Sequence, residues 1–152
     1  MNPLTFYQAA LDVVSDAVLA GDFAAYAAMI DLPYLVRTET AQLLVTSLDA
    51  LRPTFDALHA GLKARGVLHY KRLARKAEYV RPDRIEGWHN SHMLDEAGFA
   101  MPSRHARQVI VHRGTSWLFS EAQYPITANS WPMTDAGLFA DPVLWDGPRA
   151  PV

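Results

Sequence analysis

The sequence contains no cysteine. That excludes disulfides, thiolate nucleophiles and cysteine-ligated metals, and it fits a reducing compartment, so a cytoplasmic location is expected. No run approaches the roughly 18–20 apolar residues of a membrane span. The opening MNPLTFYQAALDVVSD lacks the basic region and unbroken apolar stretch of a signal peptide. Charge of one sign is also lacking: 14 Lys and Arg stand against 16 Asp and Glu, a formal net charge of -2. A nucleic-acid partner would ordinarily call for a strongly basic balance, so neither nucleic acid nor membrane is expected as a partner. The eight glycines are dispersed, which leaves no Gly-rich phosphate loop. There is no G-x-S-x-G elbow for a serine nucleophile, and no internal repeat.

Six histidines are present, but their spacing is not that of a metal site. His89 and His92 are three apart, which on a strand turns them to opposite faces. His69, His105 and His112 show no ligand pattern. No metal and no cofactor is expected.

What is there is ordinary for a folded domain. The chain has 152 residues, half of them apolar and a fifth charged, which suits a single domain with a real core. Leu4, Tyr7, Leu11, Val14 and Val18 recur at helical spacing up to Gly21, a residue suited to the left-handed position after a helix. Asp22 reads as the cap of a shorter helix over Phe23–Met29. Tyr7, Phe23 and Tyr26 read as core residues. Pro33 interrupts, and Tyr34–Thr38 and Leu43–Thr46 read as short strands reversing at Thr40-Ala41-Gln42. Ser47 caps a third helix with an apolar stripe of Leu48, Leu51, Phe55, Leu58 and Leu62, and Pro53 predicts a kink or a start nearer Leu51.

Residues 67–126 are the centre of the chain. They read as four long strands, Leu68–Val80, Ile85–Glu96, Phe99–Arg113 and Ser116–Ile126, reversing at Pro82-Asp83, Ala97-Gly98 and Gly114-Thr115. Strands this long coil and bulge rather than stay flat, and Met101-Pro102 marks an irregular spot. Residues 127–152 read as loop rather than sheet. Their aromatic and apolar side chains, Trp131, Leu138, Phe139 and Trp145, predict a tail packed on the domain or on a second copy. The expected division is a domain over residues 1–132 and an extension over residues 133–152.

Two-residue turns set the registers. They bring Arg75, Asn90, His105 and Tyr124 abreast, with Ala77, Trp88, Arg107 and Ala122 in the next rank and Leu73, His92, Ser103 and Ile126 in another. All share one face, apolar at one end and polar-aromatic in the middle, as a half-filled cavity would be. On this reading His105 or His92 is an acid/base, because imidazole titrates near neutrality. Arg75 and Arg107 clamp an anion, Trp88 is an apolar wall, and Tyr34, Asn90 and Tyr124 complete the ligand contacts. Glu86 is the one inward carboxylate of the meander, with Asp31 and Glu39 near the mouth. The opposite face, with Ile110, Trp117 and Phe119 as its aromatic and apolar spot, reads as solvated.

The order of elements, with GDFAAYAAMIDLPYLV leading into a strand, SLDALRPTFDALHAGLKARG as the third helix and SEAQYPITANSWP as a closing strand, resembles the nuclear transport factor 2-like superfamily. Small bacterial SnoaL-like proteins are the nearest flavour. The resemblance covers about residues 3–132 and is one of layout, with no diagnostic motif. It implies an α+β fold in which a cone-shaped, curved antiparallel sheet wraps a long helix, with a pocket between them. It also implies homodimers through the outer sheet face, here using Trp117, Phe119 and Ile110. Isomerases, dehydratases, cyclases, hydrolases and non-catalytic domains share the fold. The Asp and Tyr/protonated-Asp arrangement of ketosteroid isomerase has no counterpart in the meander. The expected function is binding of an anionic or carbonyl small molecule in the cone, with isomerase- or lyase-type acid–base chemistry. The alternative is a non-catalytic homodimeric interaction module whose cone is filled by side chains.

Overall fold

The computed structural model describes residues 2–38, 41–99, 104–124 and 143–144. Helix α1 runs Pro3–Ala20. Asn2 caps it by accepting from the Leu4 amide, and Gly21 ends it in the left-handed conformation at φ 74°. Helix α2 is one short piece, Phe23–Ala27, with Asp22 accepting from the Ala25 amide. Helix α3, Leu48–Ala64, starts at the Ser47 cap. Pro53 sits inside it rather than delaying its start, so the helix accepts the loss of one backbone bond.

The strands are β1 (Ile30–Arg37), β2 (Ala41–Val45), β3 (His69–Arg81), β4 (Arg84–Asp95), β5 (Gly98–Phe99), β6 (Arg104–Arg113), β7 (Ser116–Gln123) and β8 (Val143–Leu144). They form one sheet in the order β3-β4-β6-β7-β1-β2-β8, with β5 beside β4. β1 runs parallel to β7, and the remaining pairs along the sheet are antiparallel. β1 starts earlier than expected and passes through Pro33, where its pairing with β7 is interrupted. Val143–Leu144 pairs with Ala41–Gln42, so the tail is not wholly loop. The expected irregularity at Met101-Pro102 and the other tail residues lie outside the described residues.

Two of the three turns stand where expected: Arg81 pairs with Arg84 and Arg113 with Ser116. The middle turn is one residue earlier, because Asp95 pairs with Gly98. The long strands carry bulges between Ala74 and Lys76, between Tyr79 and Arg81, and between Val109 and Ile110. Each adds a residue on one side and bends the sheet. At the first bulge of β3, an edge strand, the Gln8 amide takes the place of a neighbouring strand. Its Nε2 donates to the Arg72 carbonyl at 2.8 Å and its Oε1 accepts from the Ala74 amide at 2.8 Å.

The sheet curls over the helices. α1 lies along its inner face, and Tyr7, Leu11, Val14 and Val18 join Leu51, Phe55, Leu58 and Leu62 of α3 in one core. The sheet contributes Tyr70, Ile85, Met93, Ile110 and Phe119 to it. Gly87 permits this approach: a Cβ there would stand 2.5 Å from the Tyr7 ring. A glycine inside a strand commonly marks such a close approach.

Candidate functional site

The inner face of the sheet is the one the alternation pattern assigned to solvent. Along β4, Ile85, Gly87, His89, Ser91 and Met93 are buried, while Glu86, Trp88, Asn90 and His92 are half-buried on the outer side. The pairing of Asn90 with His105 and of Trp88 with Arg107 stands as expected. The faces are nevertheless reversed, because two-fold alternation separates two sets of side chains without saying which set the helices cover.

The placement of the sequence-derived residues is corrected accordingly. Arg75 and His105 are exposed, and the two bulges of β3, between Tyr79 and Arg81 and between Ala74 and Lys76, together bring Leu73, not Arg75, opposite Asn90. His105 does not face Tyr124, because Arg107 pairs with Gln123 and the β6–β7 register is offset by one. Trp88 carries the Lys76 ammonium 5.3 Å from its ring centre, an outer-face contact rather than a cavity wall. Arg107 is held by Glu86, by Glu121 at 3.5 Å and by Gln123 Oε1 at 3.5 Å. It is a member of an outer charge cluster, which Arg84 joins through Glu121 at 3.5 Å. Glu86 is thus turned outward as well. Asp31 is engaged by Arg113 at 3.2 Å, and Glu39 lies outside the described residues. Ile110 and Phe119 are core residues and Trp117 packs on Phe6, ring centres 5.4 Å apart. These three do not make an outer-face patch.

Tyr34 and Tyr124 do line a cavity inside the cone. Its other walls are Val14, Val18, Tyr26, Ile30, Leu58, Tyr70, Arg72, Gln108 and Phe119. The volume open to the centre of a water molecule is about 20 Å³, against the roughly 10–15 Å³ that one water needs. The cavity is therefore small, partly enclosed and polar on one side, and most of the cone is filled by side chains.

Arg72 dominates it. The residue is 3 % exposed. Its Nε donates to Ser15 Oγ at 2.8 Å and its Nη2 to the Leu11 carbonyl at 3.4 Å. Among the described residues no carboxylate pairs with it. Burial works against its charge, the negative charge that Tyr70, Tyr124, Tyr7 and Tyr34 carry once ionised at high pH works for it, and the net shift is upward. The guanidinium is thus a buried cation that shares the cavity with four phenols and lies over the Tyr70 ring, 5.6 Å from its centre.

Burial raises the phenols in turn. Tyr70 is pushed up to about 12, opposed by Arg72. Tyr26, Tyr34 and Tyr124 are raised as well, each chiefly by desolvation. All four are neutral hydroxyls at physiological pH, and of these Tyr70 is already hydrogen-bonded to Ser91 and Tyr124 to Gln108. Gln108 Nε2 donates to Tyr124 Oη at 3.1 Å, and Gln108 Oε1 is buried without a partner. An amide turned the other way would accept from Tyr124 and present its NH₂ instead. Beside this group, Tyr7 Oη and His89 Nδ1 are 2.6 Å apart, and His89 Nε2 is buried without a partner.

Sequence reasoning missed Arg72, Tyr70, Gln108 and His89. It read Tyr7 and Tyr26 as core residues, which they are. The signal that would have found the right face is Gly87. A glycine amid β4, in phase with Ile85 and Met93, marks the side on which something approaches closely. Among the described residues no cluster of His, Asp or Glu is arranged to hold a metal ion, and no helix is long and apolar enough to cross a membrane.

No family profile matches the sequence, and no curated protein matches it. Solved structures do match in fold. One is an NTF-2 like protein of unknown function from Shewanella oneidensis MR-1, with 11% identity over 82% of this chain and 99% of that one, at a TM-score of 0.60. Another is an ntf2-like protein with a cystatin-like fold from Novosphingobium aromaticivorans, with 13% identity over 82% and 81% of the two chains, at a TM-score of 0.62. A third is a protein of unknown function with a cystatin-like fold from Nostoc punctiforme, with 10% identity over 80% and 88%, at a TM-score of 0.59. At these identities the likeness is one of fold.

Proposed function

We propose that this chain, which has the nuclear transport factor 2-like, cystatin-like fold, binds a small molecule inside its cone. One observation carries the reading: a polar pocket in an otherwise apolar core, where Arg72, Gln108 and four tyrosines converge on a common space. Convergent polar groups on apolar walls are the usual make-up of a ligand site. A fold gains nothing in stability from a buried cation that no carboxylate compensates.

The chemistry offered is hydrogen-bond donation and positive charge. Among the lining residues there is no carboxylate or imidazole, so none serves as a base at neutral pH. The phenols polarise a carbonyl or hold an oxyanion. The site therefore supports binding better than isomerase- or lyase-type proton transfer.

The test is thermal denaturation across a panel of small metabolites, with wild type compared to Val14→Met, which fills the cavity from α1. A ligand of the cone stabilises wild type by about 2.7 kcal/mol at a hundred times its Kd and leaves the filled variant unshifted. A panel without hits, or hits that shift both proteins alike, removes the reading.

A further inference from the structure

We infer that the ligand of the cone is a small monocarboxylate, its negative charge seated against the Arg72 guanidinium. The inference rests on the cone being a ligand site and goes on to name what enters it.

The first ground is charge. Arg72 is buried on β3, its Nε and Nη2 are committed to Ser15 Oγ and the Leu11 carbonyl, and no described carboxylate meets it. An ion removed from water without a counter-charge costs several kcal/mol even after relaxation. A bound anion offsets that cost directly, and it does so only when it reaches this one side chain. A neutral ligand offsets only the part that hydrogen bonds can recover.

The second ground is the kind of polar group around the cation. Tyr26, Tyr34, Tyr70 and Tyr124 share the cavity with it. Tyr26 and Tyr34 are neutral hydroxyls that can donate to an oxygen bearing negative charge, while Tyr70 is bonded to Ser91 and Tyr124 to Gln108. Gln108 adapts by the orientation of its amide. The lining has no acidic residue, so nothing in it repels an anion. The remaining walls, Val14, Val18, Ile30, Leu58 and Phe119, are apolar and suit a short hydrocarbon end.

The third ground is size and stoichiometry of charge. One guanidinium supplies one positive charge, and the open volume is about 20 Å³. A phosphate dianion brings a second negative charge for which no described cation is at hand, and it is bulkier. A carboxylate is planar and monovalent, and charge-assisted bonds from a guanidinium to it are among the stronger ones in proteins.

The experiment titrates wild type, Arg72→Met and Arg72→Lys with formate, acetate and propionate at fixed ionic strength. Formamide and acetamide serve as neutral isosteres and inorganic phosphate as the dianion. Melting temperature and ¹⁵N-amide NMR shifts are read, and circular dichroism establishes that each variant is folded. The expected result is saturable stabilisation of wild type by at least one carboxylate, with shifts at residues 70, 72, 108 and 124. At least a tenfold loss of affinity is expected in Arg72→Met, and an intermediate loss in Arg72→Lys, which keeps charge without the fork. If Arg72→Met fails to fold, Arg72→Lys and the neutral isosteres carry the comparison.

Equal binding of acetamide and acetate overturns the carboxylate assignment while leaving the cone a ligand site. So does binding of phosphate in preference to carboxylate. Carboxylate effects that persist unchanged in both Arg72 variants overturn it as a general salt effect. Silence from all the carboxylates overturns it too, and the wider metabolite panel with Val14→Met then decides separately whether the cone binds anything.

Discussion

The phenol of Tyr7 on α1 meets His89 Nδ1 on β4 at 2.6 Å, and neither residue has measurable exposure. If Tyr7 donates to Nδ1, one orphan is left, the Nε2–H. If Nδ1–H donated to Tyr7, both the phenolic proton and the Nε2 lone pair would be stranded. The first arrangement is the cheaper one, since each unsatisfied buried group costs about 1–3 kcal/mol. It makes His89 a neutral imidazole whose acceptor nitrogen is taken by a helix.

Stability is therefore expected to fall on the acid side. Burial, with Arg72 adding to it, holds the His89 pKa well below the ordinary imidazole value of 6.5. Below about pH 6.5 the unfolded chain takes up a proton at this residue that the folded chain refuses, so stability drops as pH falls from there. Above that pH the residue contributes no slope. Urea denaturation from pH 7.5 to 4.5 should show an excess slope in wild type over His89→Gln of up to about 1.4 kcal/mol per pH unit. Superimposable slopes would mean that His89 titrates normally in the fold.

Gly87→Ala should destabilise by about 1–3 kcal/mol, since the added methyl enters the Tyr7 ring position and a packed core resists overfilling. Tyr7→Leu alone should also destabilise. In the double variant the two losses should add to less than their sum, because the smaller side chain gives the methyl room. Strict additivity in a double-mutant cycle would contradict the contact.

Gln8→Ala should cost about 1–3 kcal/mol, because it strips the Arg72 carbonyl and the Ala74 amide of their partners at the β3 bulge. Hydrogen exchange localises the effect: the Ala74 amide should lose protection while amides of β6 and β7 keep theirs. Unchanged exchange at Ala74 would show that the edge is held by something else.

His105→Ala should leave stability within about 0.5 kcal/mol of wild type, as expected of an exposed position. It should leave any ligand-induced shift in melting temperature intact. Arg72→Met should do the opposite. The ligand-free protein should match wild type or exceed it by up to about 2 kcal/mol, since loss of two hydrogen bonds is set against relief of an unpaired buried charge. A ligand response abolished by His105→Ala and kept in Arg72→Met would return the site to the outer face.

Much of the frame is legible in the sequence. Gly21, Asp22 and Ser47 act locally, through φ and through capping hydrogen bonds, so the helix ends stood where these residues put them. Pro82-Asp83 and Gly114-Thr115 likewise fix their turns by local geometry. Asn90 does pair with His105 as expected, but with the turn one residue earlier this holds only because the register with β4 shifts by two between the β5 and β6 pairs. Bulges were expected from strand length, but not their positions: two of them offset Arg75 from Asn90, and one offsets His105 from Tyr124.

The sequence by itself determined the helices, the strands ahead of the tail, most of the turns and the two sets of side chains that alternate along each strand. Only the tertiary structure decided which set faces the helices. Arg72, His89 and Gln108 look like solvent-facing residues in one dimension, because polarity along a strand does not reveal who supplies the hydrogen bonds. Ser15 and Tyr7 of α1 lie 57 and 82 positions away from the residues they satisfy, and that meeting is a product of chain folding, not of local preference.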